Sequence, residues 1–304
     1  MPRKVPQHAG LEVLQERTRA ALAALASGFR TESDCEPKVL YDALVGVIVR
    51  IVFLFLAGEL ASVESTWEEL VAAFRRLDGE MAERDRLLHA FPFVAEATVE
   101  DGVAGEVLRA LFYVDRASAD VEHLGTVYES MMGYGIEVAR EPSLGVVCRR
   151  KAGDSQVGAL VGLASLLALA GPERRAALEG MDIEITERIG AAVERSASIE
   201  QLARALRTRT APQTPSILPA GARALTSTPD RRRSGSHYTP RALGDRVVED
   251  ALGPLLDALG ANPSPEEVLR LKVCDPAMGS GAFLLAACRF LGERLVRSWQ
   301  HRGE

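Results

Sequence analysis

From about Leu11 to Arg207 the chain is written largely in Ala, Leu, Arg and Glu, with Pro and Gly falling mostly between periodic stretches. Such text favours helices, because straight-chain residues lose little rotamer freedom in a helix while Gly and Pro interrupt one. It predicts helices over 9–29, 38–60, 65–77, 80–91, 103–114, 118–132, 155–170, 172–179 and 184–208. Within it, Ile136–Lys151 has β-branched residues around a Pro–Gly break and predicts a small hairpin. Residues 1–207 are therefore expected to form a mainly helical domain.

At 304 residues, 47% hydrophobic and 26% charged, the chain is long enough for two ordinary domains, and disordered, collagen and coiled-coil classes are excluded. The net charge of −6 argues against coating nucleic acid by bulk positive charge, so any DNA contact must be regional. Cys35, Cys148, Cys274 and Cys288 lie far apart, with no C-x-x-C pair and no histidines grouped for zinc. They read as reduced thiols of a cytoplasmic protein with no metal site. MPRKVPQHAG lacks the apolar core of a secretory signal. The most apolar run, Leu40–Ala57, carries Asp42 and Arg50, and an ionised residue at mid-membrane costs at least about 2.5–3.5 kcal/mol. A buried helix, with no membrane partner, is expected there.

Between Thr208 and Ser236 the pattern dissolves into Pro, Thr, Ser and Gly, which predicts a connection over 208–236. Positive charge collects around it: nine arginines lie between Arg204 and Arg246, against Asp230 and Asp245. One reading is a solvated basic linker. The other is a surface, centred on Arg231, Arg232 and Arg233, that contacts phosphates of double-stranded DNA.

A different grammar fills 237–304. Thr239 is placed to cap a helix running to Gly260, with Pro240 at its first position, and Ser264-Pro265-Glu266-Glu267 starts a short second one. Leu271–Cys274 is strand-like, D-P-A-M-G-S-G follows, and Ala282–Trp299 is again helical. Strand, glycine turn and helix make the opening unit of a doubly wound α/β domain. The turn is not a dinucleotide fingerprint, since Leu284 stands where the third glycine belongs. It is not a Walker A loop, since no lysine follows either glycine, nor a nucleophile elbow, since Ser280 sits directly between Gly279 and Gly281. What remains is Asp275 followed by glycines at i+4 and i+6, where backbone can approach a small ligand beside a helix N-terminus.

The segment D-P-A-M-G-S-G-A-F-L resembles motif I, the S-adenosylmethionine-binding motif of adenine-N6 DNA methyltransferases. Some 35 residues upstream, Gly235-Ser236-His237-Tyr238-Thr239-Pro240 is similar to their Y-T-P element, motif X, in the group whose cofactor half precedes the catalytic half. R-R-R-S-G-S-H-Y-T-P and V-C-D-P-A-M-G-S-G-A-F-L together look like the large Eco57I-type subunits of restriction-modification and phage-defence systems. Arg50–Glu59 resembles their R-x-x-F-L-x-x-A-E helix, and Leu124–Glu129 their L-G-x-x-Y-E segment. The resemblance implies a helical N-terminal region followed by the first β-α unit of an incomplete Rossmann-like (class I) methyltransferase domain. It implies S-adenosyl-L-methionine as cofactor, double-stranded DNA as substrate and adenine N6 as target. Residue by residue, Gly279, Ser280 and Gly281 would line the methionine part, with Phe283 packed beneath. Asp275 and the Ala277 carbonyl, flanking Pro276, would lie near the ammonium. Thr239 would bond the carboxylate beside a wall of Tyr238 and Pro240; plain helix capping is the other reading of Tyr238 and Thr239.

The family's N-P-P-Y/F motif, which makes the flipped adenine amine nucleophilic, does not occur in the sequence, so no catalytic residue is assigned. The nearest text, Asn262-Pro263-Ser264-Pro265, precedes motif I and reads as a helix start. An acidic ribose-binding residue expected some 20 residues beyond the turn falls in RSWQHRGE, and one strand with one helix cannot close a parallel sheet. These features predict the N-terminal piece of a longer methyltransferase, completed by a C-terminal catalytic and target-recognition part or by a partner subunit. A noncatalytic interaction or scaffold module carrying a remnant fold is the alternative. Methylation of protein or RNA would share motif I without Y-T-P. A nuclease reading built on Glu36-Pro37-Lys38 lacks an aspartate on a preceding strand.

Overall fold

The computed structural model describes residues 7–33, 35–60, 63–112, 121–148, 157–212, 214, 216–228, 241–260, 262–278 and 281–302. The protein is mainly helical. It divides into two compact units, residues 1–118 with 130–234, and residues 119–129 with 235–304.

In the first unit α1 (Gln7–Gly28) leads into a two-residue strand β1 (Phe29–Arg30), followed by α2 (Pro37–Ala57), α3 (Trp67–Glu80), α4 (Leu87–Ala90), α5 (Phe93–Glu96), β2 (Thr98–Val99) and α6 (Asp101–Leu111). The run over Leu40–Ala57 is long and apolar enough to span a membrane, yet half of it is buried within the protein. Leu44, Ile48 and Ile51 of α2 are fully buried, as are Leu22 and Leu25 of α1, Phe29, Leu70 and Phe74 of α3, and Leu108 of α6. Pro37 sits where a missing N–H costs nothing, and Gly58 closes α2 at φ +86°, a left-handed cap suited to glycine. Thr66 and Glu69 form a reciprocal capping box at the start of α3. Phe29 meets Trp67 edge-on at 5.8 Å, and the Trp67 indole donates to the Ala97 carbonyl at 2.9 Å.

The charge inside α2 is satisfied by its neighbours. Arg50 donates to the Asp85 carbonyl and lies 3.8 Å from Asp78 Oδ1. The buried Asp78 carboxylate in turn accepts from the Leu87 and Leu88 amides at 3.0 and 2.7 Å, which open α4.

After α7 (Val121–Met131), most of which belongs to the second unit, come β3 (Tyr134–Val138), β4 (Ser143–Cys148), β5 (Val157–Gly162), α8 (Leu163–Ala168), α9 (Gly171–Gly180), α10 (Glu187–Arg195), α11 (Ile199–Ala205) and β6 (Arg223–Ser227). Four readings of the sequence are corrected here. The hairpin expected over Ile136–Lys151 does not form, since β3 pairs antiparallel with β6 and β4 with β5. Residues 157–162, read as the start of a helix, are a strand paired with β4, and Gly158 lets the sheet close on the Ala211 Cβ, which would lie 3.3 Å from an added Cβ. The 208–236 connection contains β6, paired from Arg223 to Ser227, so part of it is sheet. The helix expected over 184–208 is broken at Ser198, whose hydroxyl caps α11 by accepting from the Gln201 amide. Leu144, Val146 and Val161 of the β4–β5 sheet pack with Leu163, Leu178, Val193 and Leu202 into one buried cluster.

Candidate functional site

The second unit contains α12 (Arg241–Ala258), α13 (Pro265–Leu269) and α14 (Ala282–Arg302). Ser264 and Glu267 cap α13 reciprocally, with Pro265 in its first turn. Helices α12 and α14 lie side by side and parallel: a Cβ on Gly244 would stand 4.0 Å from the Ala282 carbonyl and the Ala286 methyl, and Arg289 reaches Asp245 at 3.4 Å. Val248 and Leu252 pack on Ala286 and Ala287, flanked by the half-buried Phe283, Phe290 and Leu291. Phe283 thus packs toward α12.

At the N-terminal end of this pair lies the glycine turn. Leu271–Asp275 forms no strand among the described residues, because no neighbouring strand offers it a ladder; every sheet described is a two-stranded antiparallel one elsewhere. Asp275 Oδ1 accepts from the Ala277 amide at 3.0 Å, an Asx turn that bends the chain at Pro276. The Gly281 amide then donates to the Met278 carbonyl at 2.7 Å, and the Leu285 amide to the Gly281 carbonyl at 2.9 Å. Gly281 has φ +84°, and an added Cβ there would meet nothing within 4 Å. Glycine is required at 281 by backbone conformation, while among the described residues nothing fills the volume in front of it.

Asp275 Oδ2 is buried and has no hydrogen-bond partner among the described residues. An orphaned carboxylate oxygen beside an open glycine turn has the chemistry to accept an ammonium group, so the residues present fit an amino-acid-bearing cofactor. Gly279, Ser280, Tyr238, Thr239, Pro240 and the arginines 231, 232 and 233 lie outside the described residues. Chain connectivity nonetheless fixes one relation: Pro240 directly precedes α12, and Ser280-Gly281 directly precedes α14, and these two helices start at the same end.

The other sequence-derived candidates resolve as structural residues. Lys38 pairs with Asp42 at 3.0 Å on the exposed first turn of α2, a helix start and not the strand a nuclease core needs. No group of three or more His, Cys, Asp or Glu able to hold a metal occurs among the described residues.

A feature not singled out from the sequence occupies the C-terminal end of the α12–α14 pair. A cleft of about 210 Å³ is lined there by Asp257 of α12, Asn262 in the following loop, and Arg294, Arg297 and His301 of α14. The three basic residues recur at intervals of three and four, so one helical face carries them; that spacing was the available signal.

No family model, curated protein or solved structure matches the chain.

Proposed function

We propose that the chain is the N-terminal part of a site-specific DNA methyltransferase that uses S-adenosylmethionine to methylate adenine N6, acting in the cytoplasm in restriction-modification or phage defence. The observation that carries this reading is the shared N-terminal end of the parallel pair α12 and α14, which follow Tyr238-Thr239-Pro240 and the glycine turn respectively. On this reading 237–304 opens a Rossmann-like cofactor domain.

Bound S-adenosylmethionine would supply a methyl group activated by its sulfonium. Gly279, Ser280 and Gly281 would hold the methionine part through backbone groups, and Asp275 with the Ala277 carbonyl would take its ammonium. Thr239 would bond the carboxylate, with Tyr238 and Pro240 as a wall. No residue of the 304 is assigned to hold or activate the adenine amine, because the sequence has no N-P-P-Y/F motif. Transfer would require that motif from residues beyond these or from a partner subunit. The scaffold reading draws on a different observation, the exposed apolar Leu243, Val247 and Leu255 on α12.

Saturation-transfer NMR of the chain with S-adenosylhomocysteine separates the two readings. Weak binding with the strongest transfer to the amino-acid protons is expected, and it should vanish in Gly281→Val and Asp275→Ala. No transfer in the wild type at about millimolar ligand, some 4 kcal/mol of binding, would refute the cofactor assignment and leave the scaffold.

A further inference from the structure

The cleft at the C-terminal end of α12 and α14 holds an excess of unspent positive charge. Arg294 lies with its guanidinium carbon 5.3 Å over the Phe290 ring and has no carboxylate partner among the described residues. Arg297 reaches Glu293 only at 4.0 Å, on an exposed surface where such a pair contributes little. His301, one turn further on, lines the same cleft, and among the described residues the acidic side chain lining it is Asp257. Phe290 beneath Arg294 offers its guanidinium a cation–π contact.

We propose that this cleft seats a phosphate group. Two guanidinium forks and an imidazole approach from different directions, which the tetrahedrally arranged oxygens of a phosphate mono- or diester can meet and the coplanar pair of a carboxylate meets less well. The cleft's 210 Å³ admits a phosphate with the first atoms of its ester. Asp257 and Asn262 on the opposite wall are acceptors suited to a neighbouring sugar hydroxyl. Residues 294–301 lie 13–20 positions beyond Gly281 on one straight helix, roughly 20–30 Å from the glycine turn. S-adenosylmethionine has no phosphate, so this site is separate from the proposed cofactor site and does not depend on it.

The test titrates the 304-residue chain with inorganic phosphate, with AMP and with a 16-base-pair duplex, reading the His301 imidazole resonances. The double variant Arg294→Gln/Arg297→Gln should lose more than tenfold in affinity at unchanged circular dichroism, and with duplex its salt slope should fall by about one, the share of a single phosphate contact. Asp257→Asn removes the opposing charge and should tighten binding about fivefold, the size of one screened charge contact. A response to phosphate and AMP alone identifies a small phosphate ester as the source, and a duplex response lost in the double variant identifies the nucleic-acid backbone; either supports the site. No His301 response to any of the three, equal affinity in the double variant, or an Asp257→Asn chain that binds no tighter would overturn it.

Discussion

Removing the Asp78 carboxylate should destabilise the first unit more than removing the arginine it faces. Asp78 has two obligations: it accepts from the Leu87 and Leu88 amides, and it lies 3.8 Å from Arg50, with side-chain exposures of 9% for Asp78 and 14% for Arg50. Asp78→Ala orphans two amides at the start of α4 and leaves a guanidinium half-compensated against apolar α2. Breaking such a buried pair from one side costs about 3–5 kcal/mol, about a fifth or more of a typical domain's stability. Arg50→Met removes the cation but leaves Asp78 held by both amides, at a cost of about 1–3 kcal/mol. Asp78→Asn keeps an acceptor for one amide and should fall between them, which preserves the test if the alanine variant does not fold. Urea unfolding followed by circular dichroism gives the order. If Arg50→Met costs as much as Asp78→Ala, or if Asp78→Ala costs under about 1 kcal/mol, the carboxylate is not the hub described and the amides find water instead.

The Arg174 guanidinium donates to the carbonyls of Leu167, Leu169, Val193 and Ser196, tying the ends of α8 and α10 together, so Arg174→Met should cost about 2–4 kcal/mol in the same assay. Gly281→Ala should speed amide exchange in the first turn of α14 through a backbone penalty of about 1–2 kcal/mol, with no steric clash, because φ is positive and the space is open. Hydrogen bonds and charge from Arg175 hold the Glu187 carboxyl below its usual 4.5; its stabilising contribution is therefore present above that value and lost as pH falls through the lower folded midpoint. Burial, opposed by Arg140, pushes Glu137 upward, so its contribution is full below pH 4.5 and lost as pH rises through its folded midpoint; carboxyl NMR titration should find Glu187 early and Glu137 late. Amides of α2 around Ile48 and Ile51, which are fully buried, should exchange far more slowly than those of α14, where Ala286 and Ala287 are the buried contacts.

Helix was legible wherever periodicity ran long and a stop signal was explicit. Pro37, Thr66 and Ser264-Pro265 each mark a boundary through a backbone group they leave free or satisfy, whereas the left-handed stop at Gly58 lies inside the span 38–60 expected to be helix. Strand was not, for two reasons. Val157–Gly162 is a short apolar run, and runs of that length do not distinguish a sheet from a buried helix. The partner of β3 is non-local: Tyr134 pairs with Ser227 across 93 residues of sequence, which no hairpin signal encodes, while β4 turns back not on β3 but on β5, the next strand along the chain. The glycine turn was read from its residues, but the reason for Gly281 was only half visible. The pattern suggested room for a ligand; the structure adds a left-handed φ that demands glycine whether or not a ligand comes. The basic cleft escaped because its charges are spread over eight residues of α14 and become a cluster only when α12 supplies the facing wall.

The two ends of the α12–α14 pair pose opposite electrostatic problems. At the N-terminal end, free amides and the positive pole of two parallel dipoles favour anionic groups, and a carboxylate-bearing ligand would be drawn there. At the C-terminal end both dipoles turn negative, and cations are favoured. His301 and Arg302, the last two residues of α14, place basic residue types in that last turn. The dipole effect fades within one turn, yet Arg294 lies two turns back from the helix end and Arg297 more than one. The helix therefore has no need of either for its own stability, and Arg294 has no carboxylate partner among the described residues. Two strong cations placed upstream of the pole, one within cation–π distance of an aromatic ring, are a cost in self-repulsion that an incoming phosphate would relieve.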